Sequence, residues 1–253
     1  MSRHIPSFSL RLAAGAEDVA AAQSLRYEVF VREKRGRGGG LTDHGVGREA
    51  DLFDAYCEHL LLLDPLREDM LVGTTRIMTS QGAARTGRFA SEEEFDLSPL
   101  RASGLNLMEL GRTCLHPDYR GGSAMLRLWQ GLASLVEERG IGLIFGLASF
   151  PGTCPKAAAQ PLACLWRDYL APEPIRPRSL RPVELDIVPE VSLDRRAAML
   201  ATPALVKAYL RLGGRAGQGA FLDPGFGCLD VCMVLDTATL SARARAIYGG
   251  ERA

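Results

Sequence analysis

Apolar and polar residues alternate from Phe8 to Leu12, the period of a half-buried strand, and from Glu17 to Glu33 the residues Val19, Ala22, Leu25, Val29 and Phe30 fall on one helical stripe. Arg35 to Arg48, rich in glycine and charge, reads as a mobile loop ahead of the acidic stretch Glu49-Ala50-Asp51-Leu52-Phe53-Asp54. Two apolar, β-branched runs, Cys57 to Asp64 and Met70 to Thr79, joined by a turn containing Pro65, predict an antiparallel hairpin. Ser91, followed by acidic residues, reads as the cap of a short helix ending near Phe95. A strand over Leu105–His116 stops at Pro117. The clearest helix is Ser123–Arg139, with Met125, Leu128, Trp129, Leu132, Leu135 and Val136 at helical spacing and Gly140 as its stop. Ile141 to Ser149 has the continuous apolar character of a buried central strand. Further helices are expected at Lys156–Tyr169, Ala204–Leu212 and Ser241–Tyr248, and a strand at Cys228–Leu235. The arm holding Pro172, Pro174, Pro177 and Pro182 is too rich in proline for regular structure. The pattern is that of one mixed α/β domain over residues 1–253, with a proline- and arginine-rich excursion at about 171–200.

Composition narrows the function. Thirty Lys+Arg balance thirty Asp+Glu, so a nucleic-acid partner is not expected. No apolar run approaches the ~20 residues needed to span a bilayer, and no secretory signal is visible, so the chain is expected in the cytoplasm. The six cysteines form no Cys-x-x-Cys pair and the four histidines are scattered, so reduced thiols and no metal are expected. Only three of the thirty basic residues are lysine, and guanidinium suits bidentate carboxylate binding, although no function follows from that alone.

Three motifs carry candidate chemistry. His59 and Asp64 match the His-x4-Asp spacing of glycerolipid O-acyltransferases, but residues five apart on a strand point to opposite faces, so the pair is better explained as the two ends of a buried strand. Arg120-Gly121-Gly122-Ser123 joins a strand to the strongest helix, where exposed backbone N–H groups can seat a phosphate. It also serves as a simple strand-to-helix turn. Charged residues recur in apolar or aromatic surroundings: Arg26 beside Phe30, Asp51 and Asp54, Arg76, Glu109 and Arg112. Ionised groups there are costly unless paired. Together they have the parts for an amino acid: guanidinium for its carboxylate, acids for its ammonium groups and a base for a proton.

The spacings Arg26-x3-Phe30, Glu49-x-Asp51-x2-Asp54, Val72-Gly73-Thr74-Thr75-Arg76 and Glu109-Leu110-Gly111-Arg112 resemble the pattern of acyl-homoserine lactone synthases and their relatives in the GNAT acyltransferase superfamily. Leu25 to Phe30, Phe53 to Leu61, Glu109 to Pro117, Phe145 to Thr153 and Lys207 to Gly213 further resemble the bacterial L-ornithine N-α-acyltransferases that start ornithine-lipid synthesis. The resemblance runs from about Leu25 to Leu235. It implies a mixed, mostly antiparallel twisted sheet flanked by helices, with a V-shaped opening between central strands. It also implies transfer of a 3-hydroxyacyl group from acyl carrier protein to the α-amine of L-ornithine, with no permanently bound cofactor. The turn at Arg120 departs from the usual GNAT pyrophosphate loop, which favours a carrier arm with its single phosphate over coenzyme A.

On that resemblance Glu109 is expected as the base and Arg112 as its catalytic neighbour. Arg26, Phe30, Asp51, Asp54, Arg76 and Ser149 are expected to bind substrate, and Arg120, Gly121, Gly122 and Ser123 the phosphopantetheine. For Glu109 and Arg112 to share a pocket the strand must break, and Gly111 is the expected place. Two basic clusters, Arg32, Lys34, Arg35 and Arg37, or Arg176, Arg178 and Arg181, are expected to receive the acidic carrier. The lipidic product alone allows peripheral contact at the inner face of the membrane. Rival readings are a lactone synthase using S-adenosylmethionine, acylation of glycine or glutamine, and a non-catalytic carrier-binding module.

Overall fold

The computed structural model describes residues 8–183 and 188–240; the helix expected at Ser241–Tyr248 lies outside them. The principal strands are β1 (Ser9–Leu12), β2 (Glu58–Asp64), β3 (Met70–Thr79), β4 (Leu107–Leu115), β5 (Leu143–Pro151), β6 (Ala220–Asp223) and β7 (Cys228–Asp236). The principal helices are α1 (Ala16–Arg26), α2 (Ala124–Glu138), α3 (Ala159–Asp168) and α4 (Ala204–Arg211). The chain gathers into two compact units, one built from residues up to Met78 with Leu110–Arg139, the other from Thr79–Glu109 and from Gly140 onward.

In the first unit β1, β2 and β3 form the expected antiparallel meander, with Leu12 opposite Leu60 and His59 opposite Arg76. β3 has β4 as its other neighbour. β2 is buried almost throughout, which is why its sequence is an unbroken run of leucine. A Cβ at Gly73 would lie 2.6 Å from Leu115 Cδ2, so glycine is what admits the β4 side chain over β3. The amphipathic α2 packs on β1 and β2 and buries Leu128, Trp129, Leu132 and Leu135, each aliphatic side chain contributing ~1.5–3 kcal/mol. At Tyr27 the helix widens into a π-helical turn through Glu33, closed by Lys34 N–H to Val29 O and Gly36 N–H to Phe30 O. The loop after it is tied down rather than loose. Leu41 N–H donates to Ala50 O, Asp43 and Arg48 exchange backbone hydrogen bonds, and Glu49 N–H donates to Gln23 O.

In the second unit the first residues of β4, Leu107–Glu109, pair in parallel with Leu143–Phe145 of β5. That ladder stops there, although β5 continues to Pro151 in a nine-residue antiparallel ladder with β7. β6 pairs antiparallel with β7, and Pro182–Val183 pairs with β6. The proline arm therefore does hold regular structure, in short pieces: a 3₁₀ turn at Glu173–Ile175 and two-residue strands at Arg178–Ser179 and Pro182–Val183. Proline fits there because an edge position does not need its missing N–H. α4 packs on β5 and β7 with Tyr209 fully buried. Among the described residues no helix is long and apolar enough to cross a membrane.

Candidate active site

Six charged residues of the first unit close into a ring of alternating sign. Arg26, the last residue of α1, has a side chain with no solvent exposure. Its Nε lies 2.5 Å from Glu49 Oε2, and its Nη1 and Nη2 lie 2.8 and 3.0 Å from the two oxygens of Asp54. Arg76, on β3, places Nη1 at 2.5 Å from Asp51 Oδ1 and 2.9 Å from Asp54 Oδ1. Arg112, on β4, donates from Nε to Glu49 Oε1 at 3.1 Å and from Nη2 to Asp51 Oδ2 at 3.0 Å. Neutral groups finish the arrangement. Gly39 N–H donates to Glu49, Gln23 Nε2 to Asp54 and Phe53 N–H to Asp51. A Cβ at Gly39 would sit 2.4 Å from Ala50 O, so only glycine brings that amide close enough.

Desolvation opposes the charges of Arg26, Glu49, Asp51, Asp54 and Arg76, and their neighbours of opposite sign overcome it. Burial would raise the carboxyl of Asp54, yet the hydrogen bonds and charge of Arg26, then of Arg76, hold it well below the ordinary carboxylate range. Glu49 and Asp51 are likewise lowered against the burial penalty, by Arg112 with Arg26 and by Arg76 with Arg112. Arg76 is pushed above the ordinary arginine value although burial works the other way, with Asp51 as its strongest support.

Arg112 itself has φ +53, a left-handed conformation that costs a non-glycine residue ~1–3 kcal/mol. The break expected at Gly111 thus falls one residue later, and the two ion pairs of Arg112 hold it. The ring is not uniformly sealed: the Arg112 side chain is 23% exposed and that of Asp51 12%, whereas Arg26 and Glu49 are at 0%. Phe30 lies on the π-helical turn outside the ring, packed against the cluster of Leu25, Val29 and Cys114. The Cys114 thiol is pushed up to about 12 by burial.

At the start of α2, Gly121 has φ +75 and a Cβ at either Gly121 or Gly122 would meet open space. Ser123 precedes the helix without a side-chain capping bond, so the first-turn amides are not claimed by it. Arg120 is engaged elsewhere, with both Nη atoms 2.6 Å from the carboxylate of Glu33 and a further bond to Leu115 O. His59 and Asp64 occupy opposite ends of β2, and Asp64 accepts from Tyr119 Oη at 2.6 Å.

In the second unit Glu109 is buried. Its Oε2 accepts from Ala90 N–H at 2.9 Å and its Oε1 from Ser91 N–H at 2.6 Å and from Ser91 Oγ. Ser91 is therefore not the helix cap that its sequence context suggests. Phe89 takes the cap position of a 3₁₀ turn, its N–H bonded to Glu92, and the Ser91 hydroxyl goes to Glu109. Ser149 is exposed on β5 and donates to Asp230 Oδ1 at 2.6 Å across the β5–β7 ladder. Asp230 was legible as a lone acid in an apolar run, and Glu49 as part of the acidic stretch, but neither could be given its partner from spacing.

All six cysteines are unbonded thiols. Among the described residues one group has donors close enough to share an ion, Asp223, Cys228 and Asp230, within 4.8 Å of one another. Burial first, and the charge of Asp230 second, push the Cys228 thiol up. Its Sγ donates to Asp230 Oδ2.

The large, mostly antiparallel sheet flanked by helices is that of a GNAT acyltransferase. Residues 25–130 match the acetyltransferase (GNAT) domain family. The fold is similar to that of BjaI, a CoA-dependent acyl-homoserine lactone synthase, with TM-score 0.55 and 14% identity over 96% of this chain and 88% of that one. In sequence the chain is 48% identical to the L-ornithine N(α)-acyltransferase of Rhodobacter capsulatus, covering 96% of this chain and 95% of that protein. It is 37% identical to the protein of the same name from Agrobacterium fabrum, covering 98% and 87%. The chain belongs to this family, the L-ornithine N(α)-acyltransferases, and is an N-acyltransferase.

Proposed function

We propose that the chain moves a 3-hydroxyacyl group from acyl carrier protein to the α-amine of L-ornithine, giving lyso-ornithine lipid. The observation that carries this reading is its identity over nearly full length to relatives bearing that acceptor in their name, supported by a charged ring with one guanidinium and one carboxylate reaching solvent.

Among the three ring arginines, Arg112 has the solvent access a substrate carboxylate needs; Arg26 and Arg76 are committed to buried carboxylates and act as positioning residues. Asp51 is the corresponding acid for an ammonium group, with Asp54 holding both arginines behind it. An α-amine is largely ammonium at neutral pH, and only its free base attacks a thioester. Glu109, held in place by the amides of Ala90 and Ser91, is the carboxylate assigned to take that proton. The amine nitrogen then bonds to the thioester carbon, the carbon–sulfur bond breaks, and the proton that the nitrogen sheds on becoming an amide ends on the departing carrier thiolate. The amides beside Gly121, Gly122 and Ser123 seat the single phosphate of the carrier arm, which fits a turn whose Arg120 is bound to Glu33.

Steady-state kinetics of Glu109→Gln test the role given to that carboxylate. Turnover is expected to fall roughly a hundredfold or more, as for loss of a general base, with donor KM little changed. Unchanged turnover removes Glu109 from the chemistry.

A further inference from the structure

From the tied-down loop of the first unit we infer an interaction surface for an anionic lipid bilayer. Residues 41–50 form a narrow two-limbed turn, with Leu41 bonded to Ala50 and Asp43 to Arg48. Glu49 turns inward to the charged ring, whereas its neighbour Arg48 and the bridge partner of Arg48, Asp43, are exposed. Leu41 is 55% exposed, Leu52 72%, and Val46 at the tip 63%, so three large aliphatic side chains stand in water on one short segment.

Charge decides the occupant. Along residues 34–52 four cations are exposed, Lys34, Arg35, Arg37 and Arg48, against one exposed carboxylate, Asp43, whose Oδ1 already accepts from Gly45 and Val46 N–H. Arg35, Arg37 and Arg48 have no ion pair among the described residues, in contrast to Arg120, which holds Glu33. An acidic carrier protein would use the arginines and leave the aliphatic side chains wet. A bilayer surface with anionic headgroups satisfies both, since the side chains enter the acyl boundary while the guanidinium groups stay among phosphates. The inference needs neither the acceptor nor the donor proposed above.

The test is sedimentation of the full chain with vesicles of phosphatidylcholine alone and of phosphatidylcholine mixed with phosphatidylglycerol. Binding is expected to the mixed vesicles only, and to weaken as salt is raised. The paired variant Leu41→Asp/Val46→Asp, and separately Arg37→Glu/Arg48→Glu, are each expected to weaken it about tenfold or more. Val46→Asp alone, at the exposed tip, serves if the paired variant fails to fold as judged by its thermal midpoint. Absence of binding to the mixed vesicles overturns the inference. It is also overturned if the aspartate variants bind like wild type, or if reversing the arginines raises the KM for acyl carrier protein while vesicle binding is unchanged.

Discussion

His59 sits on β2 with 1% exposure, and neither ring nitrogen has a well-formed hydrogen bond among the described residues. Burial above all, with Arg26 and Arg76 adding to it against the opposing pull of Asp54, lowers its pKa below the ordinary histidine value. The folded chain therefore holds His59 neutral where the unfolded chain takes up a proton, so stability present above about pH 6.5 is lost as pH falls. The ring carboxylates also have lowered values and lose their contribution only at more acidic pH. Between about pH 7.5 and about pH 5.5 the urea midpoint is thus expected to drop in the wild type and to stay nearly level in His59→Gln. Equal slopes in both would clear His59. That a histidine lay within an apolar strand was legible from the leucines around it; that neither nitrogen gains a well-formed hydrogen bond depends on side chains from other elements. The same limit applies to Ser91, whose acidic followers point to a cap while its hydroxyl is taken by Glu109, 18 residues away.

At the scale of elements, the ring stitches α1, the acidic stretch, β3 and β4 together through side chains 22 to 63 residues apart. Replacing Arg26 with methionine leaves Glu49 and Asp54 each short of a buried cation, which costs about 3–5 kcal/mol by analogy with other broken buried pairs. Arg26→Lys keeps the charge but not the planar fork, and a smaller loss is expected. Urea unfolding measures both, and a methionine variant within about 1 kcal/mol of wild type would show that the ring contributes little to stability. The amphipathic α2, the leucine-rich β2 and the hairpin with β3 were legible because a single period ran through each. The π-helical turn at Tyr27–Glu33 was not, because its apolar residues still fit a helical stripe over so short a run. The two-residue strands of the proline arm escaped for the opposite reason. Their regularity comes from the partner strand and not from their own residues.

For the whole molecule, the chain's even charge and the absence of a membrane-spanning helix among the described residues leave the chemistry to local groups. The order of motifs along the chain made the superfamily legible, and near-full-length identity to the Rhodobacter capsulatus protein settles the family. Neither composition nor periodicity names the amine that enters, since every amino acid carries the same carboxylate and ammonium. The most direct test is incubation of the purified chain with 3-hydroxyacyl carrier protein and, in separate vessels, ornithine, glycine, glutamine and S-adenosylmethionine, read by mass spectrometry. The account predicts N-acyl-ornithine together with free carrier thiol, and little product from the other amines. Acylated glycine or glutamine with ornithine untouched, release of an acyl-homoserine lactone, or a donor that is bound and never consumed would contradict it.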